Sequence, residues 1–239
     1  MEIRTEAEYL ALDRQFIKEV AAGDREATAD GEYLRFDLGA GSEAWCHLDA
    51  QGRSAGFVPY FAASRPNRVR LDSRVASPAS PLDGAFIALA LDGAGGGLFP
   101  FVFEVPDFRT HDRFSLPVTA SVALAGFAHS VAIYRDESAL RASGSTMAAK
   151  SFIPSGMFRP GGAPIEPPQA YALMNGVVAA AEERTNRLTD RMFRCLAIDT
   201  YGMSLEVVVD PDLLPATPEP GSIAQLSCWL TGRPLRSDG

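Results

Sequence analysis

From about residue 31 onward the chain alternates apolar and polar residues in short runs separated by glycine turns. A period of two places successive side chains on opposite faces of an extended backbone, so these runs predict β-strands and not helices. "EYLRFDL" and "EAWCHLD" flank "GAGS", and "GAFIALALD" and "LFPFVFEV" flank "GAGGG". Each pair reads as a hairpin. "SAGFVPYF", "NRVRLDSRV" and "SVAIYRD" add further strands. In "LPVTASVALAGF", Leu116, Val118, Ala120, Val122 and Leu124 share one face, and Thr119 and Ser121 share the other. About eight strands are expected over 31–135, which favours a mainly β chain, an antiparallel sandwich or barrel, over a parallel α/β sheet.

Three stretches depart from this pattern. Residues 5–22 carry an apolar stripe of Tyr9, Leu12, Phe16 and Val20 between Thr5 and Gly23, which predicts an N-terminal helix. Asp136 precedes "ESALRAS" and Gly144 follows it, the signals of a capped helix. Residues 151–169, "SFIPSGMFRPGGAPIEPPQ", are too rich in Pro and Gly for a helix or central strand. Phe152, Ile153, Met157 and Phe158 suggest a connector packed on a surface. Strands are then expected at 170–182, with a bend at Gly176, and at 192–200, 203–210 and 222–232. This is the order of an OB-like small barrel, or of strands that complete the first sheet. The expected division is an N-terminal helix plus β-rich domain over 1–150, the connector over 151–169, and an OB-like β-barrel domain over 170–239.

Net charge narrows the function classes. The 239 residues sum to −8, which opposes general binding to nucleic acid. No apolar run approaches the roughly 20 residues of a membrane helix, and "MEIRTEAEYL" lacks the shape of a secretory signal. A cytoplasmic chain without membrane contact is expected. Cys46, Cys195 and Cys228 are sparse and unpaired in spacing, and with three histidines they form no zinc pattern. No metal and no cofactor is expected. The chain also lacks a nucleophile elbow, a P-loop and a His-Glu-x-x-His helix. No catalytic residue is assigned, and His111 and His129 read as structural or surface histidines. Asp210 and Asp212 flank Pro211 and read as turn caps.

The residues that stand out are aromatic and basic. Trp45 falls on the strand face of Glu43 and His47, and Trp229 on that of Gln225, Ser227 and Thr231. A large aromatic on a polar face marks an interface, a ligand platform, or a second core beneath a loop or the N-terminal helix. Arg184, Arg187, Arg191 and Arg194 cluster around "TNRLTD", whose Asn and Asp favour a turn. A second group, Arg65, Arg68, Arg70 and Arg74, follows "YFAAS". Arginines suit carboxylate or phosphate partners, yet also serve as solvated guards on strand edges.

With "SFIPSGMF", "AEERTN", "VVVDPDLL", "CWLTGR", "PLDGAFIALA" and "FPFVFEVPDF" in view, the chain from about residue 31 resembles a bacterial family of uncharacterised proteins. That resemblance implies a bacterial, cytosolic chain and transfers no site. The expectation is a non-enzymatic binding or accessory module acting through protein–protein contacts, with a protein partner or a second copy. Contact residues would be Arg184, Arg187, Arg191, Arg194, Trp229 and Trp45. The alternatives are single-stranded nucleic-acid binding by the C-terminal barrel, and an enzyme whose residues converge only in space.

Overall fold

The computed structural model describes residues 24–159, 161–214 and 217–235. The helix expected at 5–22 lies outside the described residues. The glycine turns produce the hairpins they predict. Strands β1 (Asp24–Ala27), β2 (Gly31–Asp37), β3 (Ser42–Asp49) and β4 (Ser54–Phe61) form a four-stranded antiparallel meander. The β2–β3 turn holds Gly39, Ala40 and Gly41 at φ of 81°, 55° and 83°. Glycine adopts this left-handed backbone without steric cost, and the Asp37 carboxylate accepts the Gly39 N–H at 2.8 Å.

Both faces of this meander are covered. Tyr33, Trp45 and Tyr60 pack with Leu82 on one face. Leu34, Phe36, Ala44 and Cys46 pack with Phe57 and Leu188 on the other. Glu43 through His47 are therefore buried in succession, although their sequence alternates.

The remaining strands form one nine-stranded sheet. They are β5 (Pro66–Ala76), β6 (Gly84–Leu91), β7 (Gly97–Glu104), β8 (Val118–Tyr134), β9 (Ser151–Ile153), β10 (Tyr171–Thr185), β11 (Met192–Asp199), β12 (Ser204–Val209) and β13 (Ile223–Pro234). Their order is β11-β12-β8-β5-β6-β7-β13-β10-β9, with β10–β11 and β8–β13 also paired. Strands from both sides of the 151–169 connector thus share one hydrogen-bonded sheet. "LPVTASVALAGF" and "SVAIYRD", which read as two strands, are one long β8. Gly126 in its middle lets β8 and β13 approach: an added Cβ would sit 3.3 Å from Cys228.

The pairings trace the same circuit twice. From β5 the path runs through β6 and β7, by a single parallel pair to β13, then antiparallel to β8 and back to β5. From β10 it runs through β11 and β12, parallel to β8, then antiparallel to β13 and back to β10. The strands β8 and β13 belong to both circuits and exchange roles between them. Strand β10 changes partner from β13 to β11 at Val177. Gly176 beside it admits the bend, since a Cβ there would meet Ile198 at 2.3 Å.

The main core fills this sheet with Phe86, Phe101, Phe103, Phe108, Leu124 and Met174, each fully buried. Each such side chain contributes roughly 1.5–3 kcal/mol of hydrophobic stabilisation. A 3-10 turn, Phe108–His111, follows β7. Helix α1 (Glu137–Ala142) is capped by Asp136, which accepts the Ala139 N–H at 2.9 Å, and Gly144 follows it at φ 84°. The connector folds back on itself through Ile165 N–H to Met157 O at 2.8 Å. It packs Phe152 and Met157 on the core and leaves Ile153 and Phe158 exposed. No described helix is long and apolar enough to cross a membrane.

Candidate functional site

Three cavities line the junction where the meander lies against the nine-stranded sheet. The largest, about 470 Å³, is a groove between β3 and β4 on one side and β8, β11 and β12 on the other. Alternation along β4 sends Phe57, Pro59 and Phe61 toward it. Phe127, Phe193 and Val208 complete an apolar floor, with Phe61 and Phe193 edge to face at 6.2 Å. Asn186, Thr189, Arg191 and Asp210 form a polar rim, and Met192 lies at the edge, 43% exposed.

The "TNRLTD" stretch closes one end of this groove. It is the turn its residues predict: the Asn186 side chain accepts the N–H groups of Leu188 and Thr189 at 2.9 and 3.1 Å. The arginines around it divide by role. Arg187 donates to the Asp37 carbonyl at 2.8 Å, and its own N–H to the Leu38 carbonyl at 2.7 Å. Arg184 donates to the Ala40 carbonyl at 3.2 Å, pairs with Glu182 at 3.0 Å and lies over the Phe61 ring at 5.5 Å. Arg194 is buried, bound to Glu183 at 3.0 Å and to the Leu214 carbonyl. Three of the four therefore hold the β10–β11 hairpin against the meander and against Leu214 and Thr217. Among the described residues, only Arg191 of the four has a side chain without a hydrogen bond or ion pair, and it stands on the groove rim.

The second cavity, about 440 Å³, is polar. Asp107 at its base is 1% exposed. Its Oδ1 accepts from His111 Nε2 at 3.1 Å, and its Oδ2 from Arg233 Nε at 3.0 Å. Desolvation pushes this carboxyl up, but the hydrogen bond and charge of His111, with the charge of Arg233, outweigh it and hold Asp107 at about 2. Arg233 lies over the Trp45 ring at 4.8 Å, and the Trp45 indole donates to Glu43 at 3.0 Å. Trp45 is thus 2% exposed, part of the seam that joins the two sheets. Trp229 is half-buried against Phe127, at 5.2 Å between rings.

Sequence reasoning singled out the arginine turn and both tryptophans, and did not single out Asp107, Arg233 or the groove-forming phenylalanines of β4. The Asp-x-x-x-His spacing in "DFRTH" was the one local signal for the buried pair. Nothing local links residue 107 to residue 233. No protein-family model matches the chain, and no curated protein or solved structure matches it either.

Proposed function

We propose that the chain is a non-enzymatic cytosolic binding module that takes an apolar segment of a partner polypeptide into the groove between β4 and β11. The observation that carries this reading is the groove itself: a phenylalanine floor beside a rim of amide, hydroxyl and charged groups. A polypeptide offers apolar side chains on a polar backbone, and that rim can hydrogen-bond the backbone where an acyl chain could not. The second circuit supports an OB-like description, with β10 as the long first strand, β11 and β12 as the meander and β8 as the closing strand parallel to β12. In such a barrel the face of the second and third strands and the loop joining the first two border the ligand. Here these are β11, β12 and "TNRLTD", which line one side and one end of the groove.

The nucleic-acid alternative needs a free basic groove with stacking aromatics, and three of its four arginines are bound to the protein. The test is a photo-crosslinking residue placed at Met192, with a second placed at Tyr201 as a control, in the source cell. An adduct of one defined mass is expected from position 192 and not from 201, and Phe57→Asp should abolish it. An adduct equal to two copies of this chain would identify self-association, checked by light scattering. Identical adducts at both positions, or none at 192 from a strict monomer, would overturn the proposal.

A further inference from the structure

The third cavity, about 330 Å³, lies between the meander, the nine-stranded sheet and the end of the connector. His47, Tyr60, Asp83, Glu104 and Thr231 supply its polar lining, and no arginine or lysine lines it. His47 is committed: its Nδ1 meets Asp83 Oδ1 at 2.7 Å and its Nε2 meets the Pro106 carbonyl at 2.9 Å. That leaves Glu104, the exposed last residue of β7, as a lining carboxylate with no cationic partner among the described residues. Thr231 is 1% exposed, and its hydroxyl has no hydrogen-bond partner. Buried hydroxyls without a partner are rare, because each forfeits its hydration.

We propose that this cavity binds a small organic ammonium ion, with the Glu104 carboxylate as counter-ion and the Thr231 hydroxyl as a second acceptor. Glu104 and Thr231 are directly paired across the parallel β7–β13 contact. Acceptors on adjacent strands stand roughly 5 Å apart, which one ammonium spans with two N–H···O bonds of about 2.9 Å. Val58, Val75, Pro167, Pro168 and Tyr171 give the organic body an apolar wall. The volume is at the small end of ligand pockets, roughly 300–1,000 Å³. A metal ion fits less well: among the described residues no three His, Cys, Asp or Glu side chains group to hold one.

The experiment is calorimetric titration of the full chain with benzylammonium, with benzyl alcohol as its neutral isostere, and with magnesium and calcium ions. Saturable one-to-one binding of benzylammonium is expected, about tenfold tighter than the alcohol, because the amine gains a charge-assisted bond. Neither metal should bind at this site. Glu104→Gln should weaken the amine about tenfold or more, and Thr231→Val about two- to tenfold. Glu104 is exposed and makes no ion pair among the described residues, so the melting temperature of Glu104→Gln should match that of the parent, which separates loss of binding from loss of fold. Equal affinity for amine and alcohol, no saturation by the amine, or an unchanged affinity in Glu104→Gln would overturn the proposal.

Discussion

Replacing Asp107 by Asn tests the seam that joins the two sheets. In the parent, the folded-state pKa of Asp107 is about 2 against the ordinary 3.8. A depression of roughly two units corresponds to roughly 2.5 kcal/mol of stability at neutral pH. The group's folded pKa is lowered, so this stability is fully present above the ordinary value and is lost as pH falls through about 2. Asn keeps the size and loses the charge. It also leaves Arg233 pressed over Trp45 without its counter-ion, and breaking a buried pair from one side costs roughly 3–5 kcal/mol. The Arg233 side chain retains 29% exposure, so water screens part of that loss and the lower end, about 3 kcal/mol, is expected. Urea unfolding followed by far-ultraviolet circular dichroism measures the gap between parent and Asp107→Asn. The gap should shrink as pH drops below about 4. A gap under about 1 kcal/mol at neutral pH, or one that persists undiminished near pH 2, would refute the account of this ion pair.

Two further perturbations address the turn and the thiols. Arg187→Ala removes the bond to the Asp37 carbonyl and should cost about 1 kcal/mol in urea unfolding, whereas Arg191→Ala should fall within about 0.5 kcal/mol of the parent; equal losses would contradict the division of roles at the turn. Burial pushes the Cys195 thiol up to about 11 and the Cys228 thiol up to about 12, and Cys46 is buried as well. An aromatic disulfide reagent at neutral pH should therefore label none of them quickly in the native protein and all three after denaturation; rapid native labelling would show that the packing opens.

Much of the fold is legible wherever one face of a strand meets the core. The alternation in "SIAQLSCWLT" names Ala224, Leu226, Cys228 and Leu230, and all four are fully buried. The glycine turns and the Asp136 cap are equally local, and they stand where their residues require. Alternation loses its meaning where both faces are covered. Residues Val122 to Gly126 are buried in succession because the main core lies on one side and Phe61, Ala63 and Cys195 on the other. Strand β8 therefore runs on through "AGFAHS", where the alternation lapses. Its pairing with β13, residues 122–134 against 223–234, joins segments about a hundred positions apart. No turn or cap encodes that contact, and it is the pairing that makes the two circuits share strands. The candidate site is less legible than the fold for the same reason: Phe57, Phe127 and Phe193 come from three strands and meet only once the sheets are packed.

The polar strand faces also explain why cavities gather at the seam. Glu43, Trp45 and His47 share the polar face of β3, and that face is turned toward the larger sheet. Burying it requires a partner for each polar group. Glu43 takes Arg35 at 2.5 Å, His47 takes Asp83 and Pro106, and Trp45 takes Arg233 above its ring. Directional bonds hold side chains at fixed separations and prevent the close interdigitation of an apolar seam. Gaps then remain between the bonded groups. Most are bordered by satisfied polar atoms and by apolar walls. The gap at Glu104 and Thr231 is bordered by a carboxylate without a cation and a hydroxyl without a partner. A seam built from polar residues thus stabilises the junction and, where the Thr231 hydroxyl is left unpaired beside Glu104, leaves a complementary space for a cation.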